Sequence, residues 1–167
     1  MPTNGTPKRK PRRAPELALT VQYGFRSAQL PSRARLREWA RAALRRNAAV
    51  TLRLIGAREA RALNRRFRRR DYATNVLTFA YPGQRPLAGD IAICAPVAAR
   101  EARACGISRD AHYAHLVVHG MLHLQGYDHE IERAARHMER LETRILAKLG
   151  YADPYAHATR KHGRQSP

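Results

Sequence analysis

His119-Gly120-Met121-Leu122-His123-Leu124-Gln125-Gly126-Tyr127-Asp128-His129 carries three imidazoles within one short stretch. His119 and His123 are one helical turn apart, so a helix here projects both rings from one face, with Cβ atoms about 6 Å apart. Gly126 can take a positive φ and end that helix. The chain then turns back and can bring His129 to the same point. Three neutral imidazoles with no fourth protein ligand describe a catalytic zinc-type site with one open position. A structural site would more often be closed by a fourth ligand, and neither Cys94 nor Cys105 is near the stretch.

The spacing is that of the long zincin motif, H-E-x-x-H-x-x-G-x-x-H. One position departs from it: Gly120 stands where a metalloprotease carries its general-base glutamate. The ligand pattern is kept and the peptidase base is absent, which favours a metal hydrolase other than an ordinary zinc peptidase. An isolated pair of histidines four apart would read as core or surface residues. The glycine stop and the third histidine in register move the reading to metal binding.

The chain of 167 residues reads as a single domain, long enough to bury a real core. No apolar run is long enough to span a bilayer, and the first residues lack the apolar core of a signal peptide. Two cysteines outside any ligand spacing fit packed, reduced thiols and a cytoplasmic location. The net charge is +19, from 32 Lys+Arg against 13 Asp+Glu. Such a balance suits a polyanion, most simply nucleic acid. Arginine outnumbers lysine and alanine is abundant, a bias that GC-rich coding also produces, so the charge weighs most where it clusters.

Residues 1–15 hold prolines, a glycine and the basic run Lys8-Arg9-Lys10, then Arg12-Arg13. Their apolar content is too small to offset ordering, and a disordered basic tail is expected. The domain proper runs over 16–155, and a frayed basic tail is expected over 156–167. Residues 16–23 alternate Leu17, Leu19 and Val21 against polar or small residues, as a half-buried strand does. Pro31-Ser32 opens a helix whose apolar face is Leu36, Trp39, Ala40, Ala43 and Leu44. Residues 49–55 form a second strand. Residues 57–69 form a second helix, with Ala60, Leu63 and Phe67 inward.

That helix ends in the densest charge of the chain, Arg65-Arg66-Phe67-Arg68-Arg69-Arg70-Asp71. A charge run is usually a solvated face. Strands are expected over 74–79 and, after Pro82-Gly83, over 89–94. A short helix over 96–104 stops at Gly106. Ser108 caps the next helix, which runs to Leu124 and carries His119 and His123. His115 is expected to be buried and hydrogen-bonded, and His112 peripheral. A last helix over 130–149 turns Ile131, Ala134, Met138, Leu141 and Ile145 to one face and stops at Gly150. Short strands alternating with helices, then two consecutive helices, indicate an α+β fold. It is an α/β sandwich of one mixed sheet of about four strands packed with helices, with the metal site at the end of a core helix.

The stretch from His119 to His129 resembles the signature H-G-x-L-H-L-x-G-Y-D-H of the YbeY family, bacterial endoribonucleases of ribosomal RNA maturation. Leu63-Asn64, Phe67-Arg68, Asp71 and Thr74-Asn75-Val76-Leu77-Thr78-Phe79 resemble the family's second block. Gly89-Asp90-Ile91 resembles the third, and Gly150-Tyr151 with Asp153-Pro154-Tyr155 the C-terminal ending. The likeness covers residues 17–155. Ala73 departs from a proline, Thr78 from a serine, and the basic N-terminal tail is additional.

The resemblance implies a single-strand-specific, metal-dependent endoribonuclease. It would mature the small-subunit (16S) ribosomal RNA near its 3′ end, take part in ribosome quality control and work with the small subunit and further protein partners. It implies one divalent metal ion, usually taken to be zinc, on His119, His123 and His129, although three histidines also accept nickel, cobalt or copper. The family's functional arginine maps onto Arg68. A guanidinium presents paired planar donors that match a phosphate, so Arg68 is the expected catalytic contact to the scissile group. Asp71 and Asn75 would order the loop after Arg68 or cap a turn. Asp128 would orient a ligand or serve the turn. Asp90 would be structural or meet a protein partner.

No general base is visible in the motif. Attack by an activated water would leave a linear phosphate end, and attack by the RNA's own 2′-OH can leave a cyclic one. Two other classes compete with the nuclease. One is a ribosome assembly factor whose metal is structural and whose nuclease activity is slight. The other is a metal hydrolase of another bond such as a peptide, against which Gly120 argues.

Overall fold

The computed structural model describes residues 13–128 and 130–156. Their order is β1 (Leu17–Tyr23), α1 (Arg33–Ala42), β2 (Ala48–Ile55), α2 (Ala57–Arg68), β3 (Val76–Tyr81), β4 (Leu87–Cys94), α3 (Ala95–Cys105), α4 (Arg109–Leu124) and α5 (Glu132–Lys148). Each expected element is present, with its ends shifted by at most two residues. Most of the two expected tails, residues 1–12 and 157–167, lies outside the described residues.

The local chemistry explains the boundaries. Ser32 and Ser108 cap α1 and α4, their hydroxyls accepting from the N–H of Arg35 and of Ala111. At the end of α4, Tyr127 N–H bonds Leu122 O and Gly126 N–H bonds His123 O. With Gly126 at φ 92°, this is a Schellman turn. The helix therefore stops where the sequence predicts.

The sheet is mixed, in the order β1-β2-β4-β3. β1, β2 and β4 are parallel, and β3 is an antiparallel edge strand with Val76 opposite Ile93 and Tyr81 opposite Ala88. Val50, Leu52, Leu54, Ile91 and Ile93 face α1 and α4, where Leu36, Trp39, Val117, Met121 and Leu122 complete the main core. Met138, Ile145 and Leu146 of α5 join that core. On the other face Ile55, Leu77, Ala92 and Cys94 pack with Ala60 of α2 and Val97 of α3. Together these give the expected α+β sandwich.

Several side chains differ from expectation: Cys105 is exposed and not packed, and His115 is half-buried and not buried. Phe67 is 55% exposed, because Asn64 takes the inward position on α2 and donates to Tyr72 O at 2.9 Å. Phe67 instead meets Phe79 edge to face at 5.0 Å. Ile131 is 70% exposed, because it is the extended residue preceding α5 and not part of its face. His112 is buried, with Nε2 at 2.7 Å from Glu101 Oε2; a carboxylate partner makes its burial affordable.

Two glycines set the depth of α4. A Cβ on Gly89 would sit 2.6 Å from Phe79 O and 2.7 Å from Leu124 Cδ2, and one on Gly120 would sit 3.0 Å from Ile91. Without these side chains α4 lies directly on β4. Its His119 and His123 then project over the β3 edge, where Val76 and Thr78 line the same cleft.

Candidate metal centre

His119 and His123 occupy the last turns of α4, with ring centroids 6.2 Å apart and planes 29° from parallel. They share a cleft of about 200 Å³ with Arg68, Thr74, Asn75, Val76 and Thr78. The structure thus brings together two of the three predicted histidines and the predicted arginine. His129, the third, lies outside the described residues.

Both rings are held by their Nδ1 atoms. His119 Nδ1 is 2.6 Å from Glu142 Oε1, and His123 Nδ1 is 3.1 Å from the carbonyl of Tyr127. A carbonyl or carboxylate only accepts, so each Nδ1 carries a proton and donates. An acceptor behind the ring, with the other nitrogen turned to the cleft, is how metal-ligating histidines are oriented. The Schellman turn supplies one acceptor by folding Tyr127 back over α4, and α5 supplies the other.

Glu142 is fully buried, which by itself would raise its pKa. Hydrogen bonds from His115 and His119, electrostatic attraction to His119 and then a hydrogen bond from Tyr155 outweigh that and hold it at about 2. The donors form a chain: His115 Nε2 is 3.3 Å from the Tyr155 hydroxyl, which donates to Glu142 Oε2. Burial, and then the Glu142 carboxylate, push the Tyr155 phenol upward, so it remains a donor. The C-terminal segment is pinned for this contact by Thr143, whose hydroxyl donates to Asp153 at 3.1 Å.

His115, His119 and Glu142 bring ligand-type atoms within 4.8 Å of one another, a group that could hold a metal ion. Its closest pair, 2.6 Å apart, has a hydrogen-bond separation. Two ligands of one tetrahedral zinc stand roughly 3.3 Å apart from their bond lengths. The carboxylate therefore fits better behind His119 than beside it. The imidazole donors of the cleft suit a divalent metal ion.

Arg68 closes α2, and the loop after it is fixed on several sides. Arg69 takes a left-handed conformation at φ 55°. Asp71 accepts from Arg61 Nε and Nη2, each at 2.8 Å, and this pairing holds its carboxyl below the usual range. Asn75 donates to Glu101, which in turn faces His112. Asp128 accepts from Glu130 N–H at 3.0 Å across residue 129, a turn contact. Asp90 accepts from the Tyr81 hydroxyl.

Sequence reading missed Glu142 and Tyr155. The available signal was a glutamate beside Leu141 and one turn from Met138 and Ile145, inside an apolar stripe, where an unpaired charge would be costly. Gly120 also gains a reason. Its α-carbon faces Ile91 in the core, so no side chain there could reach the cleft.

A family model described as Endoribonuclease YbeY matches residues 26–150. A protein named Endoribonuclease YbeY from Aromatoleum aromaticum is 57% identical over 143 residues, 84% of this chain and 93% of that protein. One of the same name from Methylobacillus flagellatus is 51% identical over 147 residues, 88% and 99% of the two chains. The fold resembles a solution structure from Thermotoga maritima at TM-score 0.58 and 22% identity, covering 89% of this chain and 96% of that one.

Proposed function

This chain belongs to the endoribonuclease YbeY family, and from that premise we propose a single-strand-specific, metal-dependent endoribonuclease of ribosomal RNA processing. Its substrate is the 3′ region of the small-subunit precursor, its partner the small ribosomal subunit, and its compartment the cytoplasm. No helix among the described residues is long and apolar enough to cross a membrane. The observation that carries the proposal is the pairing of His119 and His123, each held through Nδ1, with Arg68 across one small cleft.

His119 and His123 would hold the metal, with His129 as the third ligand, and zinc is the ion we assign. Bound there, a divalent ion polarises a phosphoryl oxygen and lowers the pKa of a water. The protein's own contribution is position and charge. Arg68 binds the non-bridging oxygens through paired N–H donors as negative charge grows on them. Glu142 and the Tyr127 carbonyl keep the two imidazoles in the Nδ1–H tautomer and fixed in angle. Gly120 offers no carboxylate, so proton removal falls to groups outside the His119–His123 helix face.

The test is cleavage of a single-stranded RNA from the precursor's 3′ end. It compares the purified protein, its chelator-stripped form with and without zinc, and His123→Ala. We expect activity to vanish on stripping, to return with zinc and to be absent in the variant. RNA binding without cleavage in every sample would move the reading to an assembly factor.

A further inference from the structure

A larger concavity than the histidine cleft lies elsewhere on the fold. It is a groove of about 1270 Å³ across the starts of β1, β2 and β4. Arg13, Arg45, Arg46 and Arg85 line it, arriving from three separate segments: the approach to β1, the α1–β2 loop and the β3–β4 loop. All four are exposed, and Glu16 is the one carboxylate among the lining residues. Among the described residues Arg13, Arg45 and Arg85 make no salt bridge. Like charges held together without counter-charges are unfavourable unless a polyanion completes them.

The groove adjoins the end of α4. Arg45 N–H bonds Gln125 Oε1 at 2.7 Å, and Arg46 Nη2 bonds Gln125 O at 2.9 Å. A smaller hollow is lined by Arg45, Arg46, Gln125, Gly126 and Tyr127. Tyr127 is the residue whose carbonyl holds His123. The groove therefore continues into a hollow at the end of α4, behind the turn that holds His123.

We propose that this groove is a second RNA site, which grips the backbone of the strand flanking the scissile phosphate. The inference rests on the nuclease reading for its choice of polyanion. No aromatic side chain lines the groove. Stacking, the usual way to engage bases of a single strand, is therefore absent. The site reads phosphates alone, independently of sequence and with strong salt dependence.

The test uses the full chain and the double variant Arg45→Gln/Arg85→Gln, both positions being exposed and outside the histidine cleft. Anisotropy titrations over a range of salt would use a single-stranded RNA of about 25 nucleotides and one of about 5, and cleavage of both would be followed in parallel. The expected result is about tenfold weaker binding of the long RNA at low salt. Its log–log salt slope should fall by about 1.4, at roughly 0.7 per lost phosphate contact on a single strand. Cleavage of the short RNA should be unchanged. Unaltered affinity and slope for the long RNA would overturn the proposal and leave the groove to an acidic protein surface. Equal weakening of both RNAs would also overturn it. If the wild type cuts neither RNA while the long-RNA affinity still responds, the nuclease reading fails and the groove stands.

Discussion

Glu142 Oε1 sits 2.6 Å from Nδ1 of His119, joining α5 to the last turns of α4. The carboxylate is buried and ionised, so the imidazole donates its Nδ1–H to it and turns Nε2 to the cleft. This contact fixes the orientation of a proposed metal ligand.

Glu142→Gln keeps the shape and an acceptor oxygen but removes the charge that makes the imidazole a better ligand. Zinc affinity should fall about 10- to 100-fold, as it does when a supporting carboxylate is lost elsewhere. Competition against a chelator of known affinity would measure it. A loss of several further orders of magnitude would instead make Glu142 a direct ligand, within the His115–His119–Glu142 group.

Tyr155→Phe removes a donor from the same carboxylate. The charge stays buried with one partner fewer, so unfolding free energy should drop by about 1–3 kcal/mol. Urea denaturation of the metal-stripped chain would read this separately from any effect on metal binding. An unchanged midpoint would show that solvent replaces the phenol.

Arg68→Lys conserves charge but loses the paired planar donors. If Arg68 meets the phosphate as its charge develops, kcat/KM should fall about 10- to 100-fold, the cost of a charged hydrogen bond. Zinc content should not change, because Arg68 lines the cleft from the far side, on α2. Retained activity would return Arg68 to the solvated charge run in which it stands.

The sequence was most legible where one element decides the answer. The step from His119 to His123 is intrahelical, and Gly126 marks its own left-handed stop, so the helix face and its end could be read directly. Contacts made across the fold were not legible. Glu142 is 23 residues from His119 and Tyr155 is 40 from His115, and nothing local pairs them. Phe67 was misplaced for a related reason. Apolar periodicity assigns it inward, but the short α2 buries Asn64 there to anchor the Tyr72 carbonyl. Strand order was equally hidden, since β3 enters at the edge as an antiparallel strand beside β4.

Glu101, the partner of Asn75 and His112, ties stability to pH. The His112 hydrogen bond, helped by Asn75, outweighs burial and lowers its pKa from the ordinary value. A carboxyl lowered in the folded state contributes stability that is fully present above its unfolded pKa, about 4.3. That contribution is lost as pH falls through the lower folded value. Glu101→Gln should therefore flatten the acid limb of a melting temperature against pH profile and lower stability at neutral pH. Parallel acid limbs for the two proteins would show that Glu101 has no such linkage.

Gly120→Glu tests why this helix departs from the peptidase pattern. A glutamate between the two histidine positions would match the peptidase pattern, in which that residue is the general base. The geometry opposes that, because a Cβ at residue 120 would sit 3.0–3.4 Å from three side-chain atoms of Ile91, with α4 already pressed on β4. The added side chain would be driven into the core, where overpacking costs roughly 1–3 kcal/mol. An unpaired carboxylate there adds a further cost. We expect loss of at least about 3 kcal/mol in urea unfolding and no peptidase activity on casein. Gly120→Ala makes a milder control, since its methyl meets the same Ile91 atoms while gaining about 1 kcal/mol of helix propensity. A stable Gly120→Glu protein with peptidase activity would mean that α4 can lift from Ile91. The glycine would then be a choice of chemistry and not of packing.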